Sequence, residues 1–332
     1  MITSRKVSVA PMMDCTDKHE RYFLRLISKN ILLYTEMIVS EAIDRGDRQK
    51  LLSFNLEEKP VALQLGGSSP KLLSNAAKIG EEFGYDEINL NLGCPSKKVQ
   101  KNKFGACLIK EPKLVADCLS EIQSKTKLPV TVKTRIGYDQ VEDYEHLYNF
   151  IDLLKSTGVK IFIIHARKAI LGNFTPKQNL NIPPLKYDYV YKLKNDFPND
   201  EIIINGGITK VDEIQSHLNK TDGVMIGRAA YHTPYLLADI EKEIFNNERV
   251  LSREEVIKEL VNYVKHEMRK GTRMNQIMRH TLGLFHGQNG SSFWKRYLSE
   301  NMCVREADVK KIDHIMDKIK LAPQAHSAGQ ID

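Results

Sequence analysis

Glu87-Ile88-Asn89-Leu90-Asn91-Leu92-Gly93-Cys94-Pro95-Ser96 decides the fold of this chain. It has the character of a short buried strand that stops abruptly on a Gly-Cys-Pro turn, leaving one thiol at the strand's carboxyl end. Packing needs no cysteine there. If the strand belongs to an α/β barrel, that end faces the reaction site.

Short apolar or β-branched runs of the same kind recur at 7–10, 32–37, 61–65, 87–92, 130–134, 160–165, 201–205 and 223–226. Each is followed by a segment with helical periodicity, and helix starts are marked by Thr16-Asp17, Ser69-Pro70 and Glu111-Pro112. Eight strands alternating with helices predict a parallel sheet closed into an α/β (β/α)8 TIM barrel. A doubly wound open sheet is the alternative, with fewer strands. The longest connections, 93–128 and 166–189, leave the carboxyl side of the barrel, where loops carry function. After Glu248 the strand signals stop. Ser252-Arg253-Glu254-Glu255 opens a series of amphipathic helices that runs through Met274 to Phe285 and on to Val309 and Ile319. The expected organisation is a barrel over 1–247, an all-helical domain over 248–320 and a loose tail over 321–332.

A chain of 332 residues is long enough for a barrel and a smaller appendage. Residues 1–6 are polar and the apolar segment after them stops at Pro11, unlike a signal peptide. No apolar run approaches the roughly 20 residues that span a bilayer. The expectation is a cytoplasmic protein with no membrane association. Five cysteines without a Cys-x-x-Cys pair argue against a disulfide framework and against a metal site. Of the net charge of +7, residues 246–320 hold 15 Lys and Arg against 10 Asp and Glu. Between Lys265 and Arg296 seven basic residues face a single acid, Glu267. Such a run is either a solvated helix face or a polyanion-binding surface.

The residues that leave the strands carry the chemistry. They are Pro11-Met12-Met13, Gln64-Leu65-Gly66-Gly67, Gly93-Cys94, Lys133-Thr134-Arg135, His165-Ala166-Arg167, Asn205-Gly206-Gly207 and Gly227-Arg228. Barrels often bind phosphate between the loops after their last two strands. Glycines there let the backbone approach, and Arg228 adds charge. A phosphate-bearing cofactor is expected. Gln64 offers a donor and an acceptor to the edge of a flavin, and Lys133 offers positive charge to the flavin N1/O2 edge. Met12 and Met13 give a soft apolar floor. Lys133 could equally form an ion pair in the barrel mouth or a Schiff base, His165 could be a core histidine, and pyridoxal phosphate is a second cofactor choice. The flavin uses more of these residues. An ordinary thiol, with a pKa of about 8.5, is mostly protonated near pH 7. Cys94 therefore reads either as a neutral general acid, worth about 10²–10⁴ in rate, or as a small buried turn residue. Cys15, Cys107 and Cys118 read as buried small hydrophobes.

Taken with Phe104-Gly105-Ala106-Cys107-Leu108, Val132-Lys133-Thr134-Arg135 and Ile204-Asn205-Gly206-Gly207-Ile208, these motifs resemble the tRNA-dihydrouridine synthases. Ile182-Pro183-Pro184-Leu185 and Trp294-Lys295-Arg296-Tyr297-Leu298-Ser299-Glu300 resemble the A-type bacterial branch, which acts at positions 20 and 20a of the tRNA D-loop. The likeness covers nearly the whole chain up to Leu321. It implies an FMN-binding barrel with a helical tRNA-binding domain, reduced by NADPH; a monomer is the separate expectation. Hydride would go from reduced FMN to C6 of uracil, with Cys94 protonating C5. By motif, FMN contacts fall on Pro11, Met12, Met13, Gln64, Lys133, His165, Asn205, Gly206, Gly207, Gly227 and Arg228. The positions that orient tRNA fall on Asn91, Lys177, Leu180, Ser292 and Lys295. Two of these, Leu180 and Ser292, and also Lys295, stand where the branch usually carries arginine, and Asn102 stands where it usually carries glycine. A flavin-dependent reductase of free pyrimidines shares the barrel and the cysteine but needs no basic helical domain. A Schiff-base aldolase using Lys133 and a non-catalytic tRNA-binding chaperone are further rivals.

Overall fold

The protein is described by a computed structural model covering residues 4–172 and 174–303. The expected helix at 309–319 and the tail lie outside the described residues. The strands are β1 (Val7–Val9), β2 (Leu33–Tyr34), β3 (Ile38–Val39), β4 (Val61–Gly66), β5 (Glu87–Leu92), β6 (Val130–Arg135), β7 (Ile161–His165), β8 (Glu201–Asn205) and β9 (Gly223–Ile226). All neighbours pair in parallel, in the order β1-β9-β8-β7-β6-β5-β4-β2, with β3 pairing alongside β4. A parallel bridge between Ser8 and Leu32 joins the two ends, so the sheet closes into the expected barrel.

The run at 32–37 forms only the short β2, and a second short piece, β3, follows just beyond it. Between them the Thr35 hydroxyl accepts the backbone N–H of Gln64 at 3.0 Å, so a side-chain oxygen replaces a ladder carbonyl. The helices start where the sequence marks them. Ser69 caps Pro70–Phe83 by accepting from Leu72 N–H, with Pro70 in the first turn and Gly84 in the left-handed conformation at the end.

Strands covered on both faces are apolar almost throughout, which is why they stand out as short hydrophobic runs. Inside the barrel the lining divides. Ala10, Leu32, Tyr34, Ala62, Ile163, Ile203 and Met225 form one apolar cluster. Gln64, Glu87, Asn89 and Thr131, on β4 to β6, are equally buried but polar.

The described residues divide into two compact units, one reaching from the amino-terminal side to Lys18 and resuming over Asn30–Gly227, the other made of His19–Lys29 with the residues from Arg228 onward. The barrel unit therefore ends at Gly227, earlier than the expected 247, and the segment after β1 groups with the helical unit. The partners of that segment explain this. His19 Nδ1 lies 2.7 Å from the Tyr263 hydroxyl, Tyr22 stacks on the Tyr263 ring, and Ser28 Oγ donates to Glu241. In the helical unit, Ser252 and Glu255 cap Arg253–Arg269 reciprocally. Trp294 is fully buried, donating its indole N–H to Thr281 O at 2.9 Å with its ring edge-on to Phe285.

Candidate active site

A closed parallel barrel brings all its strand ends to one rim. Along that rim Arg135, His165 and Asn205 are register neighbours on β6, β7 and β8. The Cys94 turn is held from several sides. Asn91 Oδ1 accepts the backbone N–H groups of Gly93 and Cys94 at 3.1 and 3.0 Å. Arg135 Nε donates to Gly93 O at 2.8 Å, and Cys94 O accepts from Ala106 N–H at 2.9 Å. Gly105 has φ +70°, and a Cβ there would sit 2.7 Å from Cys94 O, so the Phe104-Gly105-Ala106 segment closes on the turn only with glycine. Cys94 itself is half-buried.

Sequence reasoning gave Arg135 no specific role, yet from the end of β6 it ties the connection after β5 to the one after β7. Its Nη1 donates to Lys168 O at 3.0 Å and to Asn179 O at 3.2 Å, both in the connection after β7. Asn179, also missed, is buried and exchanges hydrogen bonds with the backbone of Ile170. The signal for Arg135 was present: Thr131, Lys133 and Arg135 place polar groups at every second residue of a strand in an apolar sheet.

Lys133 Nζ reaches from β6 to Asn205 Oδ1 on β8 at 3.1 Å, and Asn205 Nδ2 donates to Met225 O at 2.7 Å. Lys133 keeps some accessible surface toward the rim, but protein surrounds its ammonium. Desolvation, with the Arg135 cation behind it, pushes its pKa down to about 7, and Cys94 pulls weakly the other way. Desolvation likewise lowers Arg135, to about 10. By contrast, burial pushes the Cys118 thiol up to about 12, the state of an inert packing cysteine, and raises Cys107 as well.

The remaining expected cofactor residues, Arg228 apart, lie on the same barrel. Gln64 is buried with both amide ends engaged, Nε2 to Asn89 Oδ1 at 2.7 Å and Oε1 from Asn91 Nδ2 at 2.8 Å. One amide hydrogen and one lone pair stay available. His165 is buried and packs on Gly206, whose φ is +122° and whose Cβ would meet the His165 ring at 2.6 Å. Gly207, at φ +74°, has the same constraint from Leu185. Gly227 differs: its Cβ would meet only Ala10 and Met12, at the ordinary distances of 3.7 and 3.8 Å. The protein therefore leaves room at Gly227 that a side chain would fill. Met12 lines that space beside Pro11, whereas Met13 is 55% exposed. Arg228 follows as the first residue of the helix Arg228–His232 in the second unit. Lys133 is a desolvated cation that forms no ion pair with the described residues, and Gly227 has room for a Cβ that glycine leaves out. Both features fit an anionic, phosphate-bearing cofactor.

The expected tRNA positions fall into separate groups. Asn91 is turned inward, as above. Lys177 and Leu180 are one turn apart on Pro176–Asn181, the first exposed and the second partly covered. Ser292 and Lys295 are exposed and one turn apart on Ser291–Asn301, a helix that buries Trp294 and Leu298. Asn102 has φ −92° and its amide donates to Lys98 O, so the backbone there has no need of glycine.

Fold and rim together define a barrel enzyme built around a cysteine, a desolvated lysine and a glycine cradle. The family model described as Dihydrouridine synthase (Dus) matches residues 8–320. Proteins named tRNA-dihydrouridine(20/20a) synthase are similar over most of their length. That of Synechocystis sp. is 53% identical over 302 residues, 91% of this chain and 90% of the relative. The Shewanella oneidensis protein is 52% identical over 298 residues, 90% and 89%. The Escherichia coli K12 protein is 49% identical over 315 residues, 94% and 91%. Among solved structures, a 2-naphthoyl-CoA reductase complex matches with a TM-score of 0.52 and 11% identity. That match covers 73% of this chain but only 50% of the other, a likeness of fold alone. The chain belongs to the dihydrouridine synthase family, whose members are flavin-dependent oxidoreductases acting on tRNA.

Proposed function

We propose that this chain reduces uridine to 5,6-dihydrouridine in the tRNA D-loop, at positions 20 and 20a, using FMN reduced by NADPH. The observation that carries the proposal is the Cys94 turn, fixed by Asn91 and Arg135 at the barrel rim within electrostatic reach of Lys133. Identity at about half of the aligned residues with three proteins named for that reaction supports the choice of substrate.

FMN, when bound and reduced, supplies the hydride for C6 of uracil. The chain's own residues do the rest. Pro11 to Met13, Gln64, His165, Asn205 to Gly207, and Gly227 with Arg228 would hold the cofactor. Lys133 would place its positive charge against the ring edge where negative charge develops on reduction. Cys94 holds on Sγ the proton that C5 receives, which makes it a general acid. Arg135 fixes the loops around that thiol. A uridine stacked in folded tRNA cannot reach the bottom of a barrel mouth. It must be extruded, at a cost of a few kcal/mol, which phosphate contacts offset. Lys177 and Lys295 are suited to those contacts; Ser292 can give a neutral hydrogen bond, and Leu180 only apolar contact.

No helix among the described residues is long and apolar enough to cross a membrane. A monomer working in the cytoplasm, where tRNA resides, completes the proposal. Its test is to map dihydrouridine in tRNA from cells lacking the protein. Loss at positions 20 and 20a alone is the expected result, and an unchanged D-loop contradicts it.

A further inference from the structure

The polar half of the barrel interior is one continuous hydrogen-bonded chain. At its lower end Glu87, fully buried, accepts from Arg5 Nε at 2.9 Å and from the Tyr34 and Thr131 hydroxyls at 2.7 Å each. Thr131 Oγ1 accepts from Asn89 Nδ2 at 2.8 Å, and Asn89 Oδ1 accepts from Gln64 Nε2 at 2.7 Å. Gln64 Oε1 accepts from Asn91 Nδ2 at 2.8 Å, and Asn91 Oδ1 accepts the two N–H groups of Gly93 and Cys94. Parallel register makes this possible, since Gln64, Asn89 and Thr131 sit side by side on β4, β5 and β6.

The chain has a direction, and its two ends agree on it. A carboxylate can only accept, so Thr131 must donate to Glu87 and therefore accept from Asn89. That fixes which way the Asn89 amide faces, then Gln64, then Asn91, whose oxygen is left pointing at the Cys94 turn. At the far end backbone N–H groups can only donate, which demands the same orientation. Burial pushes the Glu87 carboxyl up, while Arg5 and the Thr131 and Tyr34 hydroxyls act to keep it ionised.

We propose that Glu87, acting through Thr131, Asn89, Gln64 and Asn91, is a positioning residue that imposes the direction of this relay and so holds the Cys94 thiol where it donates its proton. The inference rests on the reading of Cys94 as the proton donor, but the relay can be tested without it. If Thr131 loses its hydroxyl, Asn89 loses its acceptor, and either that amide is orphaned or the amides above it turn. A turned Asn91 would present its NH₂ to the Gly93 and Cys94 N–H groups, and donors facing donors release the turn.

The test is Thr131→Val in the flavin-loaded protein, an isosteric change that strands favour, with Thr131→Ser as the rescue. Hydrogen exchange is read at the Gly93 and Cys94 amides, alongside flavin reduction by NADPH and flavin reoxidation by tRNA. The expected result for Thr131→Val is exchange faster by about tenfold at those two amides and reoxidation slower by about tenfold or more, because small misplacements are costly at a reacting group. Thr131→Ser should restore both. Glu87→Gln is the second variant: a glutamine can donate to Thr131 as well as accept, so the direction is no longer imposed, and both readouts should move the same way. Wild-type exchange in Thr131→Val overturns the proposal, and so does faster exchange with undiminished reoxidation by tRNA. If the wild-type protein does not turn over tRNA at all, the functional reading fails, while exchange at the two amides still decides whether the relay holds the turn.

Discussion

Lys133 on β6 donates to Asn205 on β8 across the barrel mouth, at 3.1 Å, and so spends its ammonium on a neutral carbonyl. A desolvated cation without a counter-charge is unfavourable in the protein alone. It becomes favourable when an anion arrives.

That cost has a pH signature with a definite sign. Lys133 has a folded pKa of about 7 against an ordinary 10.5, so the folded flavin-free chain binds its proton less readily than the unfolded chain. The penalty is fully present below pH 7 and is relieved as pH rises from 7 toward 10.5. Lys133→Met should therefore raise the thermal midpoint of flavin-free protein most at about pH 6, with the advantage shrinking above pH 7. The same variant should purify with little flavin. An advantage that does not vary with pH would contradict the assignment.

Gly207 and Gly227 should separate folding from cofactor binding. Gly207→Ala forces a side chain into a left-handed position already crowded by Leu185, and should lower stability by about 1 kcal/mol or more in urea unfolding. Gly227→Ala meets only ordinary contacts and should unfold like wild type when flavin-free. Flavin retention, measured by absorbance, should nevertheless fall in Gly227→Ala.

Arg135 binds three backbone carbonyls through one planar fork, which lysine cannot reproduce. Arg135→Lys should cost about 1–3 kcal/mol of stability through the carbonyls left unpaired. Turnover on tRNA should drop by about tenfold, while flavin content is unchanged. Loss of flavin instead would move Arg135 from the thiol turn to the cofactor site.

The helix Ser291–Asn301 predicts an electrostatic footprint. tRNA binding should weaken steeply with salt, and changing Lys295 and Arg296 together should weaken binding and flatten that dependence. Ser292→Arg, adding a cation one turn from Lys295, should tighten binding and steepen the salt slope by up to about one unit. Filter binding across a salt series reads both. Indifference to salt and to all three changes would remove this face from the interface.

Strands, strand ends and helix starts were legible because each depends on neighbours in sequence: an apolar run, a Gly-Cys-Pro stop, Ser69 before Pro70. What was not legible depends on distant partners. Thr131 meets Glu87 across 44 positions and Arg135 meets Gly93 across 42, so no local pattern announces either bond. The break in the strand after Tyr34 comes from one Thr35 hydroxyl bonded to Gln64, 29 positions away. The grouping of His19–Lys29 with the helical unit rests partly on His19 meeting Tyr263, 244 positions on. Alternating polar residues on β5 and β6 were visible in the sequence. Their meaning as an interior chain needed the register.

Cys94→Ala gives the most direct test of the central claim. The variant should remain yellow, bind tRNA as wild type does, and reduce its flavin with NADPH at the normal rate. Single-turnover formation of dihydrouridine should fall by about 10²–10⁴, the contribution of a positioned general acid. Dihydrouridine formation at a near-normal rate in Cys94→Ala would contradict the account, because the proton for C5 would then come from elsewhere.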